Sequence, residues 1–379
     1  MTSATVSGAS GALAEAAGDG RVRRDENGRR AVRLWLWIVA LGVVAMVIVG
    51  GATRMTESGL SITEWKPIHG VIPPLSQAEW DEEFLKYQQI PQFHQLNSDM
   101  TLDGFKTIFW WEWAHRLLGR LIGVVFLVPF LAFAARGWIR RDMLPRIGLL
   151  FVLGGLQGAI GWWMVASGLS ERTEVSQYRL AVHLTLACFI LMATVWIAES
   201  FRGPGRVSFA EPKALRRTAK LLVGLILAQI FLGGLVAGLR AGLVYNTWPL
   251  MDGALIPDGL MFMSPGWVNF FENHLTVQFV HRCGAYLLLA VAVFHVLQVR
   301  SQALDPASVR RAVLVLGAIL VQAIIGIATL VMVVPIELGL LHQGAAAIVL
   351  IIATIHAHRL SERPAAGAVI RPHAAIKTA

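Results

Sequence analysis

The chain has 379 residues, of which 55% are hydrophobic and 15% are charged, and its formal net charge is +9. The hydrophobic residues form long runs, which is typical of a membrane protein rather than a soluble one. The positive charge does not indicate a nucleic-acid partner, because the basic residues are spread over alternate loops and form no single patch.

Residues 1–20 are small and rich in glycine, alanine and serine. They lack the apolar core of a signal peptide, so the first hydrophobic run is predicted to remain in the protein as a helix. We predict that residues 1–30 form a disordered cytoplasmic tail.

Eight hydrophobic runs follow, each long enough for the roughly 20 helical residues that a hydrocarbon layer of about 30 Å requires. They predict membrane spans at 33–52, 114–136, 145–166, 179–200, 217–239, 277–299, 310–332 and 337–358. Arginine and lysine concentrate in alternate connections and near both termini, which the positive-inside rule places in the cytoplasm. The sequence therefore predicts an all-α, multi-pass protein of the cell inner membrane, with both termini cytoplasmic.

The remaining connections are predicted to face the opposite compartment. The longest of them, residues 53–113, is acidic, because its carboxylates far outnumber its cations. This charge asymmetry between the two sets of connections supports the predicted orientation.

The two halves of the chain repeat one pattern. The corresponding segments are Gly50-Gly51 and Gly233-Gly234, His115-Arg116 and His281-Arg282, Gln157 and Gln322, and His183 and His342. Each half contains four spans, so corresponding helices run in the same direction and the repeat is parallel. We therefore predict two four-helix bundles, 31–203 and 204–362, related by a pseudo-twofold axis along the membrane normal. A cytoplasmic tail is predicted at 363–379.

Four histidines lie within about two helical turns of the outer ends of the even-numbered spans, namely His115, His183, His281 and His342. They are therefore predicted to share one depth, near the periplasmic face. Imidazole is a suitable axial ligand of heme iron, and helix bundles hold heme between facing helices. This histidine layer predicts two bis-histidine heme sites, one in each half. Alternatively, the histidines only hydrogen-bond neighbouring helices, a role that does not require matched depths.

Arg116 and Arg282 directly follow two of these histidines. Each is predicted near the outer interface, where a guanidinium group would bind a heme propionate. The small residues around Gly154 and Gly233 are predicted to allow close helix approach or to make room for a flat macrocycle.

His295 and His356 are a second candidate pair, because each follows a histidine of the layer by 14 positions. That spacing is roughly 21 Å along a helix, and it resembles the two stacked heme levels of quinone-linked b-type cytochromes. The equivalent residues of the first half are Pro129 and Ile197, which cannot ligate iron. Both histidines also lie close to arginines, so we predict that they are interfacial and hold no heme.

Several motifs point to a known family. They are GGATRMTESGLS at 50–61, Trp65-Lys66-Pro67, Glu112-Trp113-Ala114-His115-Arg116 and Asn246-Thr247-Trp248-Pro249-Leu250-Met251. Together they resemble the heme A synthase family, in the form found in proteobacteria and mitochondria. The resemblance covers nearly all of the chain beyond its N-terminal tail.

The resemblance implies an oxidoreductase that converts the C8 methyl of heme O to a formyl group, giving heme A for cytochrome c oxidase. It implies a catalytic role for Glu57, which would relay protons or stabilise a carbocation-like intermediate. Alternatively, Glu57 is a solvated loop carboxylate.

The resemblance also implies how the two hemes are shared between the halves. The cofactor, heme b, would be held in the C-terminal half by His281, His342 and Arg282. The substrate, heme O, would be held in the N-terminal half by His115, His183 and Arg116.

The resemblance further suggests a heme O synthase as donor and cytochrome oxidase assembly factors as partners, with an unidentified electron acceptor. No nucleic-acid partner is expected, and homo-oligomerisation is left open. Two other functions are compatible with the residues alone. A b-type cytochrome electron carrier would use His295 and His356 for a second heme, and a transporter would use the duplicated bundle as a permease.

Overall fold

The computed structural model describes residues 5–66, 69–170, 172–203 and 210–362, with side chains from Asp25 onward. Within these ranges the chain is helical and contains no strand. The α-helices are α1 (Thr5–Met55), α2 (Gln77–Tyr87), α3 (Pro91–Leu96), α4 (Leu102–Ala135), α5 (Leu144–Ala166), α6 (Gln177–Ser200), α7 (Lys213–Gly238), α8 (Ala241–Val244), α9 (Asn269–Glu272), α10 (His274–Gln302), α11 (Pro306–Val331) and α12 (Ile336–Ser361).

Eight of the described helices are long and apolar enough to cross a membrane: α1, α4, α5, α6, α7, α10, α11 and α12. Each covers one of the predicted spans to within one residue, so the predicted all-α membrane fold is confirmed. Short polar side chains begin several of them. Asn273 accepts hydrogen bonds from the first-turn amides of α10, and Asp305 accepts one from Ala307 at the start of α11, where Pro306 fits the first helical position.

Two boundaries differ from the prediction. Helix α1 begins at Thr5, so residues 5–30 are helical where a disordered tail was predicted. Alanine favours the helix, and continuity with the membrane span removes the cost of a separate nucleus. Residues 1–4 and the predicted tail at 363–379 lie outside the described residues.

The long outer loop contains helices of its own. Helix α4 starts at Leu102, where Thr101 accepts a hydrogen bond from Gly104, so the first turns of α4 lie within the predicted loop. Helices α2 and α3 pack on this extension through Tyr87 and Phe105, whose side chains are fully buried. The aromatic contacts give the loop an apolar core of its own.

The helices of the two halves have the same neighbours. In the first half α1 contacts α4 and α6, and α5 contacts the same two helices. In the second half α7 contacts α10 and α12, and α11 contacts the same two. Between the halves, α6 packs on α7 as α12 packs on α1, while α6 and α12 meet each other. This arrangement is the predicted pair of four-helix bundles related by a pseudo-twofold axis.

Close approach of the halves requires glycine. A Cβ added to Gly234 on α7 would lie 2.8 Å from the Cα of Ala181 on α6, and one added to Gly51 on α1 would lie 2.4 Å from Oε1 of Gln343 on α12. Gly51 and Gly234 are equivalent positions in the repeat. Small residues let membrane helices pack closely, so the glycine that is repeated in both halves has a structural role.

At the other end of the molecule, the buried carboxylate of Glu199 ties three helices together. Glu199 on α6 accepts a hydrogen bond from Arg33 on α1 at 2.8 Å and forms a salt bridge with Arg359 on α12. Its side chain is 1% exposed, so both cations are needed to offset its desolvation.

Candidate functional site

The four histidines of the predicted layer lie on helices that are diagonal to each other in each bundle. His115 on α4 and His183 on α6 face one another in the first half, close enough to interact electrostatically. His281 on α10 and His342 on α12 do the same in the second half. The structure therefore brings together the two pairs that the sequence predicted.

Each imidazole packs against a glycine of a neighbouring helix. An added Cβ would lie 3.1 Å from Nε2 of His115 at Gly50, and 2.9 Å from Cε1 of His183 at Gly161. The matching distances in the second half are 3.2 Å from Cε1 of His281 at Gly233 and 2.7 Å from Cε1 of His342 at Gly326. These four glycines leave the rings room between the helices, and the two halves repeat the arrangement position by position.

Glutamine side chains accompany three of the four histidines. The Nε2 atoms of Gln157, Gln229 and Gln322 each lie 3.1 Å from Nδ1 of His183, His281 and His342, respectively. Each also donates to the backbone carbonyl of its histidine, at 2.9, 2.8 and 2.9 Å. Sequence reasoning used Gln157 and Gln322 only to align the halves and did not identify these contacts.

His115 is the exception. The position equivalent to Gln229 in the first half is Met46, because both residues precede the paired glycines by four positions. A thioether is only a weak acceptor and cannot donate, so His115 lacks the glutamine contact that its three counterparts have. The two halves therefore share a histidine pair but hold its members differently.

Arg116 and Arg282 hold the outer loops. Arg116 donates to the carbonyls of Ile62 and Glu64 at 2.7 and 2.9 Å, and it forms a salt bridge with Glu112. Arg282 likewise donates to the carbonyl of Thr247, at 2.8 Å. Their role in binding propionates stays a prediction, and what the structure adds is that both guanidinium groups fix the backbone above the histidine layer.

Glu112 was missed by sequence reasoning as a site residue. Its side chain is buried, and it accepts hydrogen bonds from the Ser61 hydroxyl and the Ile62 amide, each at 2.8 Å. The equivalent residue in the second half is Gln278, which donates to the carbonyl of Tyr245 at 2.8 Å. The signals available in the sequence were that Glu112 begins one of the family motifs and lies one helical turn before His115.

Glu57 lies at the junction of the two halves. Its Oε1 accepts a hydrogen bond from Nη2 of Arg240 at 2.6 Å, and Nε of Arg240 lies 2.6 Å from Oε1 of Glu174. Burial lowers the pKa of Arg240, but the two carboxylates outweigh burial and raise that pKa above its ordinary value. Glu57 is thus part of an ion-pair cluster rather than a lone loop carboxylate.

His295 and His356 are buried, at 1% and 2% exposure, and are not interfacial as predicted. The two side chains reach each other across the second bundle, and their Nε2 atoms lie 2.8 Å apart in a direct hydrogen bond. Two imidazole–metal bonds of about 2 Å each would need a wider gap. The two imidazoles are therefore hydrogen-bonded directly to each other in this structure.

The donor set suits a porphyrin better than a bare ion. A bare zinc or similar ion takes three or four protein ligands, and no cluster of three or more histidine, cysteine or carboxylate ligands occurs among the described residues. A porphyrin supplies the equatorial nitrogens itself and needs only two axial ligands, which matches paired imidazoles. Open space beside Gly154, Gly155 and Gly158 on α5 leaves room next to the first pair.

Comparison with known proteins agrees with this geometry. Residues 33–354 match the family of cytochrome oxidase assembly proteins designated COX15-CtaA. The heme A synthase of Sinorhizobium medicae (strain WSM419) is 56% identical over 338 residues, which are 88% of this chain and 91% of the relative. This chain belongs to the heme A synthase family. The resemblance drawn from the sequence motifs is thereby confirmed.

Other heme A synthases are similar over comparable lengths. That of Chelativorans sp. (strain BNC1) is 58% identical over 328 residues, 86% of this chain and 90% of the relative. That of Bradyrhizobium sp. (strain ORS 278) is 57% identical over 348 residues, 91% and 95% of the two chains. The family match spans both histidine pairs, so the whole duplicated bundle belongs to the heme A synthase family.

Proposed function

We propose that this chain makes heme A by oxidising the C8 methyl of heme O to a formyl group. The observation that carries the proposal is the pair of matched imidazole sites, one in each half, within a member of the heme A synthase family. Conversion of a methyl (–CH3) to a formyl group (–CHO) is a four-electron oxidation that replaces two hydrogen atoms with one oxygen atom. One site for the substrate and one for an electron-accepting cofactor meet that requirement within a single chain.

The C-terminal half is the proposed site of heme b. There His281 and His342 would be the axial ligands, and the side-chain amides of Gln229 and Gln322 lie beside their rings and donate to their backbone carbonyls. Contacts of this kind restrict the orientation of the ring. When bound, heme b supplies a redox centre that can receive electrons from the substrate.

The N-terminal half is the proposed site of heme O, with His115 and His183 as its axial ligands. His115 lacks a glutamine contact, because Met46 stands at the position equivalent to Gln229, so its ring has fewer polar contacts than those of the other three histidines. A substrate must enter and leave, whereas a cofactor stays. The difference between the halves therefore supports this assignment of roles.

Glu57 is the proposed proton acceptor. Its carboxylate lies within salt-bridge distance of Arg240, at the outer end of α1 and about two turns beyond the level of Gly50. From that position Oε1 would accept protons released from the substrate methyl, and Arg240 would hold the carboxylate in place.

The histidine layer is proposed to lie near the periplasmic face. Support comes from the cationic connections, which lie at the opposite ends of the helices and face the cytoplasm by the positive-inside rule. A heme O synthase as donor of heme O and cytochrome oxidase assembly factors as partners fit the role in oxidase assembly. The electron acceptor of the reaction is unidentified.

Reconstitution with heme O tests the proposal. The purified full-length chain, in lipid nanodiscs with heme O and an electron acceptor, is expected to yield heme A by pyridine hemochrome analysis, with one heme b retained per chain. The same preparation without heme O is the control. Two heme b per chain, unchanged after heme O is supplied, would instead identify a b-type cytochrome and refute the proposal.

A further inference from the structure

Four cations on the first turns of α7 line one cavity of about 260 Å³. They are Lys213, Arg216, Arg217 and Lys220, and Ser361 at the end of α12 completes the lining. The spacing places all four on one face of α7. We propose that this cavity, defined here as the basic cavity, binds the phosphate group of an anionic membrane phospholipid.

The first argument is electrostatic. Cations in the first turn of a helix are repelled by the positive end of its dipole, and like charges four positions apart also repel. Lys213 and Arg217 are such a pair, as are Arg216 and Lys220. Helix α7 has no acidic residue in its first turn and no side-chain cap on its first amides. An anion in the basic cavity would relieve all of these unfavourable terms together.

The second argument is that the protein itself does not supply the anion. Among the residues that the structure describes, none of the four cations forms a salt bridge with a carboxylate. The carboxylates at this end of the bundle already have other partners. Glu199 pairs with Arg33 and Arg359, and Glu362 pairs with Arg202. Glu211 accepts hydrogen bonds from the Ser308 hydroxyl and from the Leu304 and Asp305 amides.

The repeat supplies an internal comparison. Arg30 and Arg33 on α1 are the positions equivalent to Lys213 and Arg216 on α7. Arg30 forms a salt bridge with Glu26 at 2.5 Å, and Arg33 forms one with Glu199 at 2.8 Å. The first half therefore neutralises these cations with its own carboxylates, while the second half leaves them facing a cavity.

The third argument concerns position and size. The ammonium of Lys220 lies 5.7 Å from the ring centre of Trp196, and tryptophan is typical of the membrane–water interface. The cavity volume of about 260 Å³ is enough for a phosphodiester group. Basic pockets between helices on the cytoplasmic side are a recurrent form of headgroup site.

The experiment compares thermal unfolding of the purified full-length protein with a short-chain phosphatidylglycerol, a short-chain phosphatidylcholine and inorganic phosphate at equal ionic strength. We expect phosphatidylglycerol to raise the unfolding midpoint of the wild type saturably, and the other two to have little effect. The double variant Arg216→Gln/Arg217→Gln is expected to bind phosphatidylglycerol roughly 20-fold more weakly, since each such cation contributes about five-fold near an anionic surface.

The matched control is Arg141→Gln/Arg146→Gln, which removes two exposed cations from the same end of the molecule but outside the basic cavity. The affinity of this control for phosphatidylglycerol is expected to stay within about two-fold of that of the wild type, because diffuse surface attraction is screened by salt. An equal loss in both double variants would overturn the proposal. Protection by inorganic phosphate as strong as that by the lipid would also overturn it, in favour of a free-anion site. Should the first double variant not fold, Arg217→Gln alone, at an exposed position, gives the same comparison.

Discussion

Glu57 and Arg240 occupy equivalent positions in the two halves, seven residues after the paired glycines, and form a salt bridge of 2.6 Å across the pseudo-twofold axis. Both have left-handed backbone conformations, with φ of 57° and 51°. A duplicated turn has thus diverged into a carboxylate in one half and a guanidinium in the other. The pair joins the two halves just beyond the ends of α1 and α7.

Glu57→Gln is expected to leave heme b content unchanged and to lower the rate of heme A formation by at least about 100-fold, the usual contribution of a proton-transfer group. Glutamine can still accept the hydrogen bond from Arg240 but cannot take up a proton at this position. The measurement is heme A formed per chain per unit time after reconstitution with heme O. Arg240→Gln is the companion variant, and it should retain part of the activity. Wild-type rates in Glu57→Gln would assign the residue to structure alone.

His281→Ala is expected to abolish the absorbance of the tightly bound heme b, because one of its two axial ligands is removed. His115→Ala is the matched variant in the other half, and it should keep that absorbance while losing heme A production. Optical spectra of the purified variants, recorded before and after heme O is added, check both expectations. The reverse outcome would exchange the roles assigned to the two halves.

Gly326→Ala is expected to lower heme b occupancy by more than about tenfold, which corresponds to at least about 1.4 kcal/mol. The new Cβ would lie 2.7 Å from Cε1 of His342, so the ring must shift. Gly317→Ala is the control on the same helix, since its Cβ would meet no atom within 4 Å. That control should bind heme b normally and be slightly more stable, because alanine favours a helix over glycine by about 0.5–1 kcal/mol. Equal heme b occupancy in the two variants would show that the His342 ring does not need a glycine at position 326.

His356→Leu is expected to destabilise the protein by about 1–3 kcal/mol, because it leaves the buried imidazole of His295 without its partner. Heme content should not change, since neither residue is a proposed iron ligand. The double variant His295→Leu/His356→Leu should recover part of the stability, as both polar groups are then removed together. Thermal unfolding and heme quantification test these points, and loss of one heme per chain would restore the case for an inner heme.

Acidification is expected to loosen the outer loop around α2. Hydrogen bonds from Lys66 and Lys86 hold the pKa of Glu64 below its ordinary value. A carboxylate with a lowered pKa stabilises the fold above its unfolded value of about 4.3, and that contribution is lost as pH falls through the lowered pKa. Hydrogen exchange of residues 77–87, corrected for intrinsic rates, should therefore change little from pH 7 to 5 and increase below pH 4. Lys86→Gln should reduce the difference between the exchange rates at neutral and acidic pH. A pH-independent exchange rate in the wild type would contradict the expectation.

The spans, the repeat and the histidine layer were predictable from the chain because they depend on local patterns. Hydrophobic runs of about 20 residues identify membrane helices wherever they occur. Once the direction of each helix is known, the distance of His115 or His281 from the end of its span gives the depth of the residue. The family motifs are equally local, so the resemblance to heme A synthases needed no structure.

Contacts between distant segments required the tertiary structure. The pairing of Glu57 with Arg240, the hydrogen bond between His295 and His356, and the burial of Glu112 all depend on how helices rotate and pack against one another. Hydrophobic periodicity does not specify those rotations when a helix is apolar on nearly every side, as membrane helices are. The sequence by itself therefore determined which residues lie at which depth, and only the packing of the two bundles decided which of them meet.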